Sequence, residues 1–443
     1  MTTTAPVPPL EAALAVRLRS VRTVALPEGA ADGLVAQLPD ASGPLAWVRR
    51  GQGLVGWGEV ARVAVSGPSR FVDAHAAWRE LLLGARVDDE VRVPGTGPIA
   101  FASLAFADDS PAGGALVVPE VVLGHRDGRW WLTTLTTTAA TPAGWGVASP
   151  SRALPPRPSP PPPAGGVAFA DGSVSGPAYV AAVARAVARI QAGELEKVVL
   201  ARDLEARTEQ PVDVRWLLAR LADAYPSCWS FAVDGLVGAT PELLVRRERG
   251  LVHSRVLAGT IRRTGSVERD AGLAGSLARS GKDLEEHEYA VRSVVQALAP
   301  HCTTTTASEA PFVLHLPNVM HLATDVTGVL APSAPGQDPS VLHLAAALHP
   351  TAAVCGTPRE AADAVIREVE GMDRDRFAGP VGWVDARGDG EMGLALRCAR
   401  VDADDPRRVR LFAGAGVVAG SDPVAELAET DAKLVPVRDA LGG

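Results

Sequence analysis

The chain is short of the residues and runs that mark several large function classes. It has four cysteines in 443 residues, Cys228, Cys302, Cys355 and Cys398, and no two of them form a CxxC pair. That scatter excludes a disulfide framework and a cysteine zinc site, and it reads as buried thiols in a reducing cytoplasm. The nine histidines show no HExxH or comparable ligand spacing, which removes the zinc-hydrolase motifs. No apolar run approaches the ~20 residues of a membrane-spanning helix. The first residues, MTTTAPVPPLEAALAV, lack the basic-then-apolar layout of a secretory signal. Lys and Arg nowhere gather into a patch, and the net charge of −8 opposes a nucleic-acid partner. What remains is 47% apolar and 21% charged residues, an ordinary globular composition with enough chain for two or three lobes and a large core. The expected setting is the cytoplasm, with no membrane contact.

Residues 1–152 alternate short apolar runs with Gly/Pro turns, as at Leu54-Val55-Gly56-Trp57, Ile99-Ala100-Phe101 and Ala115-Leu116-Val117-Val118. One helix is predicted near 71–83. This half reads as sheet, carries no catalytic cluster, and is expected to pack into the same fold as the rest. Residues 152–166, RALPPRPSPPPPAGG, are polyproline-biased and cannot build a core. They place a linker over 153–175, ahead of a second half at 176–443.

The second half opens on a helix after Pro177, with an apolar stripe at Val180, Val183, Val187 and Ile190 and a stop at Gly193. A β-rich run over 197–202 follows. Lys197 at its head is either a snorkelling edge residue or a desolvated base. Glu242 sits after a turn at the head of another apolar strand, and 256–260 reads as a strand ending in a glycine turn. A helix from Lys282 carries Asp283 and Glu286, three residues apart. Further helices are predicted near 340–348 and 359–370, and a hairpin over 381–400 turning at Asp389-Gly390.

The stretch 410–434, RLFAGAGVVAGSDPVAELAETDAKL, holds the densest chemistry. Leu411-Phe412 ends a strand, and Ala413-Gly414-Ala415-Gly416 reads as a small-residue turn with free amides. Asp422 then caps a helix with Pro423 at its first position. On that helix Glu426, Glu429 and Lys433 share one face. They form either a solvated Glu–Lys pair or one half of a metal and anion site. Two helices that each present carboxylates three apart could meet across one Mg²⁺, which needs only one or two protein carboxylates.

Taken in order, EKVVLAR at 196–202, GATPELL at 238–244, LAGT at 257–260, KDLEEHE at 282–288, HPT at 349–351, RLFAGAGVV and AELAETDAKL resemble the chorismate-utilising enzymes. That family includes anthranilate, aminodeoxychorismate, isochorismate and salicylate synthases. The resemblance implies an α/β (α+β) fold of large antiparallel sheets flanked by helices. It implies Mg²⁺ at Glu286 and Glu429, with Asp283 and Glu426 supporting. Substrate contacts are implied at Gly259, Thr260, His349, Arg397, Gly414, Ala415, Gly416 and Lys433. Lys197 stands where ammonia-using members carry Gln, and Ala258 where aminodeoxychorismate synthases often carry Lys. Both point to water as nucleophile, with Lys197 as base and Glu242 as acid and no amidotransferase subunit; the resemblance implies a monomer. The expected reaction interconverts chorismate and isochorismate, with salicylate synthase as the alternative. The apolar residues Ala352, Ala353, Val354 and Phe377 favour the first. The product could feed menaquinone or siderophore synthesis, and the HLPNVMHLATDV segment at 315–326 resembles the menaquinone type.

Overall fold

A computed structural model describes residues 16–138, 154, 157–334 and 338–442. The alternating apolar runs pair into two large, almost wholly antiparallel sheets. The first has thirteen strands. It runs from Val167–Asp171 through Lys197–Thr208, Arg408–Val417, Cys398–Val401, Leu236–Thr240 and Trp229–Val233. It continues into Leu45–Arg49, Gln52–Trp57, Val121–Arg126, Arg129–Thr137, Leu18–Leu26 and Arg86–Asp89, with Gly356–Thr357 attached to Lys197–Thr208. The second has ten strands and runs Cys302–Ala307, Val319–Leu330, Leu251–Arg262, Leu243–Glu248, Gly390–Leu394, Pro380–Asp385, Ile99–Leu104, Gly114–Val118 and Ala61–Val65, with Phe312–His315 beside Val319–Leu330.

Both sheets cross the boundary between the halves of the chain. Trp47 lies opposite Phe231 in one, and Phe101 opposite Trp383 in the other. A principal core draws on both sheets, with Trp47, Leu200 and Phe231 from the first and Phe101, Val245 and Val384 from the second. A second core packs the helices Val214–Ala224 and Pro423–Leu441 against the first sheet through Leu217, Leu221, Val437 and Leu441. Burying these large side chains, at about 1.5–3 kcal/mol each, is what holds the sheets together. Among the described residues no helix is long and apolar enough to cross a membrane.

Several expected elements stand close to their predicted places. Arg70–Leu82, Gly176–Gln191, Gly281–Leu298, Val341–Leu348 and Arg359–Val369 are helices. Asp422 caps Pro423–Leu441, its carboxylate accepting from the amide of Ala425 at 2.8 Å. Others differ. The expected turn at 413–416 lies inside the strand Arg408–Val417, paired residue for residue with Lys197–Thr208. Its glycines serve close packing and not a bend. The 381–400 hairpin does not turn on Asp389-Gly390, because Gly390 already pairs with Val384. The chain reverses over 386–389, with Gly388 at φ +80°. The expected linker is irregular only in part, since Val167–Asp171 adds an edge strand; residues 153, 155 and 156 lie outside the described set. Cys228, Cys355 and Cys398 are buried thiols, whereas Cys302 is partly exposed.

Candidate active site

Two strand connections switch sheets side by side, and the opening they leave is the site. Leu236–Thr240 belongs to the first sheet and Leu243–Glu248 to the second, with only Pro241 and Glu242 between them. Gly390–Leu394 belongs to the second and Cys398–Val401 to the first, with Arg397 at the return and at φ +49°. Neither Glu242 nor Arg397 is committed to a ladder, so each side chain can turn into the gap. The Glu242 backbone is held by Thr240 Oγ1, 3.2 Å from its amide, and its carbonyl accepts from Leu394. The cavity is lined by Glu242, Gly259, Thr260, Glu286, His321, Arg397, Gly414, Gly416 and Lys433, with Val199, Ala353, Val354, Arg374, Phe377 and Leu396.

Glu242 is buried, and desolvation pushes its carboxyl up to about 8, although Lys197 and the amide of Leu257 pull the other way. It is therefore a neutral acid at pH 7, able to donate a proton. Lys197 begins its strand fully buried. Its Nζ lies 3.1 Å from Glu286 Oε1 without hydrogen-bond geometry. Lys197 is not itself among the lining side chains; it backs Glu286, which is. Gly416 makes this possible, because a Cβ there would stand 2.2 Å from Glu286 Oε1 and 3.3 Å from Lys197 Cε.

The helices Gly281–Leu298 and Pro423–Leu441 bring four carboxylates and two further lysines to this corner. Lys433 Nζ lies 2.6 Å from Glu429 Oε1 and donates to the carbonyl of Gly414 at 2.9 Å. Lys282 Nζ donates to Glu426 Oε1 at 2.9 Å and ties the two helices together. Burial, reinforced by Glu429, raises the Glu426 carboxyl; burial together with Glu286 and Glu429 raises that of Asp283. Burial alone would raise Glu286 too, but Lys197 and Lys433 outweigh it and hold that carboxyl low. Among the described residues no three His, Cys, Asp or Glu close around one point as a ready cage. Glu286 on the cavity wall and Glu429 beside Lys433, each paired with an ammonium, fit a hard cation that takes one or two protein oxygens and completes its shell from water and ligand.

Arg397 is buried, and its guanidinium carries an Nε without a partner, while Nη2 lies 3.0 Å from His321 Nε2. A desolvated cation with unused donors is costly unless an anion meets it. His321 is kept neutral by burial, by Arg397 and by Lys433, so its Nε2 can accept from Arg397 while Nδ1 meets Thr260 Oγ1 at 3.1 Å. Thr260 reaches the cavity because the strand bulges at Gly259, φ +76°, where a Cβ would stand 3.0 Å from that of Asp283.

One expected substrate contact lies elsewhere. The His349 ring is buried against Phe71 and Phe106, and its Nε2 is 3.0 Å from the carbonyl of Phe106. Its motif instead leads the chain to Ala353 and Val354 on the cavity wall; Ala352 is buried outside the lining. Ala415 alternates away from the cavity between Gly414 and Gly416. His321, Arg374 and Lys282 were not singled out from sequence. Lys282 had a readable signal: Lys197, Lys282 and Lys433 are the only lysines in the chain, and all three converge here.

A family model described as chorismate binding enzyme matches residues 46–442. Isochorismate synthase DhbC of Bacillus subtilis (strain 168) is 41% identical over 277 residues, covering 60% of this chain and 67% of that one. A Mycobacterium tuberculosis (strain ATCC 25618 / H37Rv) protein named as a candidate isochorismate synthase, MenF, is 38% identical over 362 residues, 79% of this chain and 87% of its own. Among solved structures, a candidate 2,3-dihydroxybenzoate-specific isochorismate synthase, DhbC, from Bacillus anthracis superposes with a TM-score of 0.73 at 32% identity, covering 92% and 98% of the two chains.

Proposed function

Because the chain belongs to the chorismate-binding enzymes, on their isochorismate synthase branch, we propose that it interconverts chorismate and isochorismate. Water attacks ring C2 and the C4 hydroxyl leaves. The observation that carries this reading is the buried Glu242, its carboxyl pushed up by desolvation, in a cavity with cationic groups around it. Glu242 donates its proton to the departing hydroxyl, the step for which a carboxylic acid must stay neutral at pH 7. Lys197 is assigned as the base that takes the proton from the attacking water, which requires its Nζ to part from Glu286 and reach the cavity. Arg397 and Lys433 hold the enolpyruvyl carboxylate, and the unused Arg397 donor becomes satisfied when they do. The glycines at 414 and 416 let that group approach the strand backbone. Glu286 and Glu429 would hold Mg²⁺, which when bound neutralises and orients the ring carboxylate.

Ala353, Val354, Phe377 and Leu396 present an apolar wall. Such a wall offers no hydrogen bond to a departing enolate, which favours release of isochorismate over elimination of pyruvate to salicylate. We place the reaction in the cytoplasm, consistent with free cysteines, in a monomer drawing on water and needing no amidotransferase subunit. Incubating the pure protein with chorismate and Mg²⁺ tests the reading. The expected outcome is an equilibrium mixture of chorismate and isochorismate with little pyruvate. Salicylate fluorescence rising as fast as chorismate disappears would overturn it.

A further inference from the structure

Lys282 is the one lysine of the cluster to which the proposed reaction gives no task. Its side chain is 40% exposed, while its partner Glu426 is 3% exposed. The ammonium thus stands at the outer edge of the cluster and caps a buried carboxylate. It also acts electrostatically on Glu286 and Glu429. Four carboxylates, Asp283, Glu286, Glu426 and Glu429, face three ammonium groups, so the corner is nearly neutralised before any cation arrives.

The choice of lysine is informative in a chain with 43 basic residues, all but three of them arginine. A guanidinium holds a carboxylate in a rigid two-point fork, as Arg255 does with Asp325 at 2.7 Å twice. An ammonium on a flexible stem makes one point contact and can swing into water. We propose that Lys282 is the exchangeable counter-ion of the cation site: it occupies Glu426 when the site is empty, opposes an entering divalent ion, and thereby sets the affinity for Mg²⁺. The inference rests on the assignment of Glu286 and Glu429 as the cation's carboxylates. By contrast, a lysine that only braced the two helices would aid metal binding by keeping the carboxylates in place, so the two roles predict opposite signs.

The test is calorimetric titration of the full chain with Mg²⁺ alone at pH 8, without chorismate. Removing a unit positive charge ~6 Å from a divalent ion, even at the dielectric of about 80 that screens a solvent-facing ammonium, should tighten binding at least roughly tenfold. Lys282→Gln, whose amide can still donate to Glu426, is expected to show that tightening and a larger Mg²⁺-induced rise in melting temperature. Lys282→Arg is expected to bind no more tightly than the wild type, because the fork keeps both the charge and the carboxylate. Unchanged or weaker Mg²⁺ binding in Lys282→Gln, with the variant folded by circular dichroism, overturns the inference. Since chorismate is absent, the outcome is independent of which product the enzyme makes. A protein that binds Mg²⁺ as described yet forms no isochorismate would refute the proposed function and leave this inference standing.

Discussion

Replacing Glu242 by Gln separates the proposed acid from every other role the site could assign to it. The amide keeps the shape and can still accept from Leu257, but it has no proton to give to a leaving hydroxyl. General acids typically contribute ~10²–10⁴-fold, so turnover should fall by at least about 100-fold while Mg²⁺ binding is kept. The same residue leaves a second signature in stability. Its folded carboxyl titrates near 8, against an ordinary value of 4.5. The folded state therefore binds more protons than the unfolded state between those values, and stability falls as pH rises through that window. At 1.36 kcal/mol per unit, the loss is on the order of 5 kcal/mol by the time pH exceeds 8. Urea denaturation of wild type and Glu242→Gln between pH 5 and 9 isolates this difference, which should grow with pH in favour of the variant. In the wild type, kcat/KM should also decline through about pH 8 as the acid ionises. A variant within tenfold of wild-type turnover, or one whose relative stability is flat across pH, refutes the assignment.

Lys197→Ala should lose at least ~10²-fold in turnover while remaining folded; near wild-type turnover at neutral pH would rule it out as the base. Glu429→Ala should nearly abolish activity and Mg²⁺ binding with the circular dichroism spectrum unchanged, and full activity in excess chelator would refute the cation site. His349 and His75 carry the opposite proton linkage to Glu242. Burial pushes them to about 3 and about 4, so the unfolded chain takes up protons first and stability is lost as pH falls below 6.5. A His349→Phe protein, with its ring among Phe71 and Phe106, should lose less stability than the wild type between pH 6.5 and 4.5, and parallel denaturation curves would show the linkage absent.

The helix that carries Glu426, Glu429 and Lys433 was legible because its determinants are local. An Asp cap, a Pro at the first position and spacings of three and four act within a few residues. The motif order likewise marked Lys197, Glu242 and Glu286, and the resemblance it carried marked Arg397, without any knowledge of their neighbours. By contrast, the 413–416 segment could not be placed from sequence. Glycine and alanine suit a turn or a tightly packed strand equally, and only the partner strand with Lys197 and Glu286 behind it decides between them. His349 misled for a related reason, since a motif can be retained for the path it imposes on the chain, here towards Ala353 and Val354.

His321 gave no signal because its role comes from Arg397 and Thr260, distant in sequence and adjacent only across strands. The charge state of Glu242 belongs to the tertiary structure as well. What the amino-acid order determined by itself was which residue types stand at which positions and which short elements they form. What only the folded chain decided was desolvation: two strand connections change sheets side by side, water is displaced from the space between them, and the acid and the guanidinium left there must be neutral or paired.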